Sequence, residues 1–306
     1  MEKYRYDIGL SKYPYGIELE FMYASLRKIN MKFERASIPS VLLLRHKNSS
    51  IVYDKCYLDR DNTVSYESND IIYGGEISSR LYHNKKYDWE EIEKMSDILQ
   101  ESNAQIRENC SNQVNIELSR IRQKRKFIEA LSKIIANYER ELEIYYMGDF
   151  YLDRLTKIQY ASSISSYLRS VIKYIDFEDK SDEEINHLLL PIFSKRAGIN
   201  LSEYLEKKRI EIRYPNRTLN KKTIQNNINF SIKLIDALAD DKFDLEKVTA
   251  EISNSFEHNG YYELINEQCH LERFRELVNI VAINSEDEND FMCQCEKVKS
   301  TKPGTR

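Results

Sequence analysis

Two segments of this chain, "YGIELEF" at 15–21 and "RIEIRY" at 209–214, carry apolar and charged residues in strict alternation. A period of two marks a β-strand with one buried face, because successive side chains leave a strand on opposite sides. Ile17, Leu19 and Phe21 therefore share one face, and Glu18 and Glu20 the other. In the second segment Ile210, Ile212 and Tyr214 oppose Glu211 and Arg213. A polar strand face ordinarily meets water. It carries chemistry when neighbouring strands add carboxylates to it. "DRDNTV" offers Asp61 beside Thr63, and "GGEIS" offers Glu76 behind two glycines that allow close approach of backbone or ligand. Gathered on one sheet, these groups repel one another unless cations are present. Hard divalent ions such as Mg²⁺ take carboxylate oxygens together with nucleotide phosphates.

Other segments complete the expected fold. Strand character marks 41–47, 50–58 and 105–118, and "KNS" between the first two predicts a hairpin turn. "YDWEEIEKMSDILQES" predicts a helix with Asp88 as N-cap and Glu91 closing a capping box. Helical periodicity predicts further helices over 122–146, 160–175, 221–239, 244–257 and 261–283, with a charged loop at 176–186. The expected class is α+β, with one antiparallel sheet, helices packed on one face and a helical C-terminal part. A single domain is expected over 1–285, its strands within 13–118 and 198–216, followed by a mobile tail at 286–306.

Composition excludes several function classes. With 41% hydrophobic and 31% charged residues, the chain can bury a core. A formal net charge of -4 gives no basic excess for nucleic acid. No apolar run approaches the roughly 20 residues of a membrane helix. The N-terminal stretch lacks the apolar core of a signal peptide, so a cytoplasmic protein is expected. Five scattered cysteines fit reduced thiols, and Cys110 reads as a buried one. His46, His83, His187, His258 and His270 have no zinc-ligand spacing, and only His83 follows a candidate site residue closely. No P-loop, nucleophile elbow or dinucleotide glycine pattern occurs.

The order of the motifs is more specific than any one of them. "YGIELEF", "DRDNTV", "GGEISSRLY", a helix, "NCSNQVNI", then "AGINL" and "RIEIRYPNRTLN" resemble the bacterial amidoligase family over roughly residues 13–240. That family is a distant branch of the carboxylate–amine ligases, which include glutamine synthetase and glutamate–cysteine ligase. The resemblance implies a glutamine-synthetase-like sheet that binds ATP and Mg²⁺. It implies amide formation through an acyl phosphate. An amino acid or a peptide is the expected substrate, with a ribosomal precursor peptide among the candidates. By position it makes Glu18, Glu20, Glu76 and Glu211 metal ligands. Asp61 falls at the metal or the substrate amine, and Arg213 on the transferring phosphoryl charge. Asn200 helps hold the site.

The chain also departs from the family pattern. Gln113-Val114-Asn115 stands where H-V-H is usual, Ser79 where a proline is common, and Arg217 where a glycine is common. Gln113 and Asn115 can offer amide oxygens to Mg²⁺ or nucleotide, but they cannot act as imidazole bases. Two alternatives follow: a degenerate member that binds nucleotide, peptide or a partner protein without ligating, and an interaction protein built on the long helices.

Overall fold

The computed structural model describes residues 3–43, 54–147, 161–257 and 267–300. The single domain expected over 1–285 divides into two compact units, one of Met1–Glu117 with Pro215–Asn229, the other of Leu118–Tyr214 with Phe230–Arg306.

The first unit contains β1 (Tyr15–Ser25), α1 (Leu26–Arg35), β2 (Ser40–Leu43), β3 (Cys56–Asp59), β4 (Tyr66–Ser68), β5 (Ile71–Ser78), α2 (Lys86–Glu101) and β6 (Asn112–Glu117). The class is α+β, as expected, and the open sheet is mostly antiparallel. Its order is β2-β3-β5-β1-β6, with β4 on β5. Ile17, Leu19 and Phe21 are buried, as the alternation requires, and pair across the ladders with Val114, Ile77 and Gly75. Helix α1 starts at Ser25, whose hydroxyl caps Lys28 N–H, and buries Leu26, Ile29 and Phe33. It packs against β1, β2, β3 and β5.

Gly74 and Gly75 are obligatory here. Gly74 has φ +79° and a Cβ there would lie 2.3 Å from the Val64 carbonyl. At Gly75, φ +154°, it would lie 2.4 Å from the Asp59 carbonyl. Only glycine lets β5 press this closely on its neighbours.

Three local expectations change. β2 and β3 pair in parallel, so they are not a hairpin; "KNS", His46 and the rest of 44–53 lie outside the described residues. Strand β6 begins only at Asn112, after a turn. Asp88 is not the N-cap of α2, which is Lys85. It sits at the third helical position and its carboxylate accepts the N–H groups of His83 (2.9 Å) and Lys85 (3.0 Å).

The second unit is mainly helical: α3 (Lys124–Met147), α4 (Ser165–Ile172), α5 (Asp182–Leu189), α6 (Tyr204–Lys207), the end of α7 (Lys221–Ala239), α8 (Leu245–Glu257), α9 (Glu267–Val281) and α10 (Ser285–Ser300). A short antiparallel pair, β7 (Ile199–Asn200) and β8 (Arg209–Ile212), belongs to it. Helix α3 packs against α4, α8, α9 and α10. Its fully buried Glu139 accepts hydrogen bonds from the Ile164 and Ser165 N–H groups and the Ser163 and Tyr214 hydroxyls. That carboxylate satisfies donors at the start of α4 which the helix itself leaves unpaired.

Two expectations fail in this unit. The charged stretch at 176–186 is not all loop, because Ser181 and Glu184 form a capping box that starts α5. The tail expected at 286–306 is helical as far as Ser300, and α10 buries Phe291, Cys295 and Asp287. His258, residues 261–266 of an expected helix and the last six residues fall outside the described ones. No described helix is long and apolar enough to cross a membrane.

Candidate active site

The polar face of the first unit's sheet is built by register. Glu20 on β1 pairs with Glu76 on β5, and Glu76 pairs in turn with Asp59 on β3. One step along β1, Glu18 lies between Ser78 and Gln113. One step further, Gly16 pairs with Asn115. The pleat turns Glu18 and Glu20 away from the apolar face that buries Ile17 and Leu19.

Asp61 reaches this row from the turn after β3. Its carboxylate accepts the Thr63 N–H (2.7 Å) and hydroxyl (2.6 Å), an Asx-turn that fixes the side chain. One oxygen each from Glu20, Asp61 and Glu76 can be chosen so that all three lie within 4.8 Å of one another. The Ser111 N–H donates to Glu20 Oε2 at 2.6 Å, and the Ser78 hydroxyl to Glu76 Oε1 at 2.7 Å. Both glutamates are thereby oriented by fixed donors.

The electrostatics of this cluster are unfavourable without a cation. Burial, then the charge of Asp61, pushes Glu20 up to about 7 against the Ser111 hydrogen bond. Burial also pushes Glu76 up to about 7, opposed by the Ser78 hydroxyl and reinforced by Glu20, Asp61 and Asp59. A divalent cation offsets both desolvation and repulsion. Three carboxylates with no imidazole or thiolate are the donor set of a hard cation such as Mg²⁺. The residues present fit that ion.

Glu18 lies on the same face but outside the three-carboxylate cluster, and its Oε1 accepts the Asn115 amide at 2.8 Å. Gln113 and Asn115 are both buried on β6. Asp59 was missed by sequence reasoning. It ends "CYLD", and only its pairing with Glu76 reveals its place in the row.

In the second unit, Asn200 and Glu211 are register partners on β7 and β8, and the Asn200 amide donates to Glu211. Arg213 donates to the other Glu211 oxygen at 2.6 Å. The alternation in "RIEIRY" thus yields a bound ion pair. A groove of about 1020 Å³ in this unit is lined by Leu190, Leu201 and Leu205 beside His187, Lys195 and Arg196.

A family model described as "putative amidoligase enzyme" matches residues 11–235. The chain belongs to the amidoligase family. Glu18, Glu20, Asp59, Asp61, Glu76 and Glu211 lie inside the matched region of this amidoligase, and so do Gln113, Asn115 and Arg213. The family supports a ligase at a coarse level. Comparison with curated proteins gives no match.

Proposed function

We propose that this amidoligase is an ATP- and Mg²⁺-dependent carboxylate–amine ligase acting on an amino acid or a peptide. The observation that carries this reading is the convergence of Glu20, Asp61 and Glu76, where the buried Glu20 and the half-buried Glu76 are both raised to about 7. Mg²⁺ bound there supplies charge neutralisation for phosphoryl transfer from ATP. The substrate carboxylate becomes an acyl phosphate with release of ADP. The amine then displaces phosphate, forms the amide and gives up a proton.

The chain's own residues position the reactants. Glu20, Asp61 and Glu76 hold the cation, and Ser111, Thr63 and Ser78 hold those three carboxylates. In this reading Glu18 is a further oxygen ligand steadied by Asn115. The family resemblance gives Glu211, held by Asn200 in the second unit, a ligand role and gives Arg213 a role on the transferring phosphoryl charge. Gln113 and Asn115 offer amide groups to the nucleotide. A peptide substrate, ribosomal precursors included, a glutamine-synthetase-like fold and a cytoplasmic location belong to the same reading.

The test is an ADP-release screen with Mg-ATP against paired amino acids and peptides. ADP should form only with a matching pair and should be lost in Glu76→Gln. No ADP with any pair, together with no binding of Mg-ATP by calorimetry, overturns the reading.

Asn115 favours a second reading, a member that binds without ligating. Its amide occupies a Glu18 oxygen, and neither Asn115 nor Gln113 can move a proton. Ligation that appears only after Gln113→His combined with Asn115→His assigns the chain to that reading.

A further inference from the structure

Strand β1 does not end smoothly. The pairing with β5 shifts register between Phe21 and Ser25, and Tyr23 in the bulge has φ +67°. A bulky residue in the left-handed region is an outlier that persists only where its surroundings enforce it, and such outliers cluster at functional sites. The bulge re-aims Tyr23. The ring meets Tyr66 edge-on at 5.9 Å, and Tyr66 stacks on its cross-strand partner Tyr73 at 5.3 Å with 14° between the planes. Tyr23 and Tyr66 are each 40% exposed.

A cation joins this platform. The Arg107 guanidinium lies 5.4 Å from the centre of the Tyr23 ring, and among the described residues the side chain makes no hydrogen bond or ion pair. The turn that carries Arg107 also ties into the carboxylate cluster. Asn109 donates to the Thr63 carbonyl beside Asp61, and the Ser111 N–H donates to Glu20. One five-residue turn therefore touches the aromatic platform through Arg107 and the carboxylates through Ser111. Along β5, Tyr73 precedes Glu76 by three residues, with Gly74 at φ +79° between them.

We infer that Tyr23, Tyr66 and Arg107 form the base-stacking end of a nucleotide site whose phosphate end lies at Glu20, Asp61 and Glu76. The inference rests on the ligase reading for the presence of a nucleotide. Exposed aromatic faces with an adjacent guanidinium stack any planar base, and removing one such ring costs a measurable part of the affinity. Tyr66 contributes ring surface and Arg107 adds a cation for the base or for phosphate.

The experiment is calorimetry of the full chain at pH 8 with two probes, Mg-ADP and Mg-pyrophosphate, against wild type, Tyr66→Ala, Tyr66→Phe and Tyr23→Gly. Tyr23→Gly removes the ring and suits the positive φ, so it keeps the test open if the alanine variant folds poorly. Affinity for Mg-ADP should fall roughly tenfold in Tyr66→Ala and Tyr23→Gly and hold in Tyr66→Phe, while pyrophosphate binding stays unchanged. Unchanged Mg-ADP affinity, or equal losses for both probes, overturns the stacking site and leaves the ligase reading standing. No binding of either probe to wild type overturns both. Base-dependent binding without ligation of any substrate pair upholds the stacking site and counts against the ligase reading alone.

Discussion

Glu20 and Glu76 face each other across the β1–β5 ladder, and each is pushed up to about 7, chiefly by burial. The folded, metal-free chain therefore holds protons that the unfolded chain releases from about pH 4.5 upward. The stability linked to these two groups is full below pH 4.5 and declines as pH rises through 7. In EDTA, the melting temperature of wild type should fall more between pH 5.5 and pH 8 than that of Glu76→Gln. Parallel pH profiles for the two proteins would show that Glu76 titrates normally.

Gly74 sets the approach of β5 to its neighbours just ahead of Glu76. Gly74→Ala adds a Cβ 2.3 Å from the Val64 carbonyl at a φ that L side chains rarely adopt. The loss of stability should be about 2 kcal/mol or more, read by chemical denaturation. The same shift displaces Glu76, so Mg²⁺ affinity should fall with it. A variant as stable as wild type contradicts the observed approach.

Lys233 and Asp287 make a buried ion pair at 2.6 Å, with side chains 4% and 0% exposed. It ties α10 to α7. Asp287→Ala leaves a buried ammonium without its partner and should cost about 3–5 kcal/mol. Lys233→Met with Asp287→Leu should recover most of that loss. A mild effect of Asp287→Ala, within about 0.5 kcal/mol, would mean that α10 is not docked as described.

What the sequence revealed of this fold was what periodicity encodes. Alternation in "YGIELEF" sorted Ile17 and Leu19 from Glu18 and Glu20 correctly, because a strand's two faces follow from spacing alone. Helix α7, with Ile224, Ile228, Ile232 and Ile235 buried, was equally plain. Pairing was not legible. Asp59 joins the carboxylate row only because β3 lies beside β5 in a given register, and β2 runs parallel to β3 only in three dimensions. Charge misled where helices begin. Asp182, Glu183 and Glu184 in α5, and Glu286, Asp287 and Glu288 in α10, read as solvated loop or tail. First turns favour acids because the helix dipole is positive there.

In the candidate site, Glu20, Glu76 and Asp61 came from the motifs, and their meeting came from the fold. Glu18 illustrates the limit. Spacing places it on the same face as Glu20, but the Asn115 amide that holds it is a cross-strand neighbour invisible in one dimension.

The central claim is that Glu20, Asp61 and Glu76 together hold a divalent cation. Titration of Mg²⁺ into the EDTA-treated chain at pH 8, followed by calorimetry, tests it most directly. Wild type should bind Mg²⁺ saturably and gain thermal stability from it, and Asp61→Asn and Glu76→Gln should each weaken binding by roughly tenfold or more. Absence of binding in wild type, or equal affinity in all three proteins, would contradict the account.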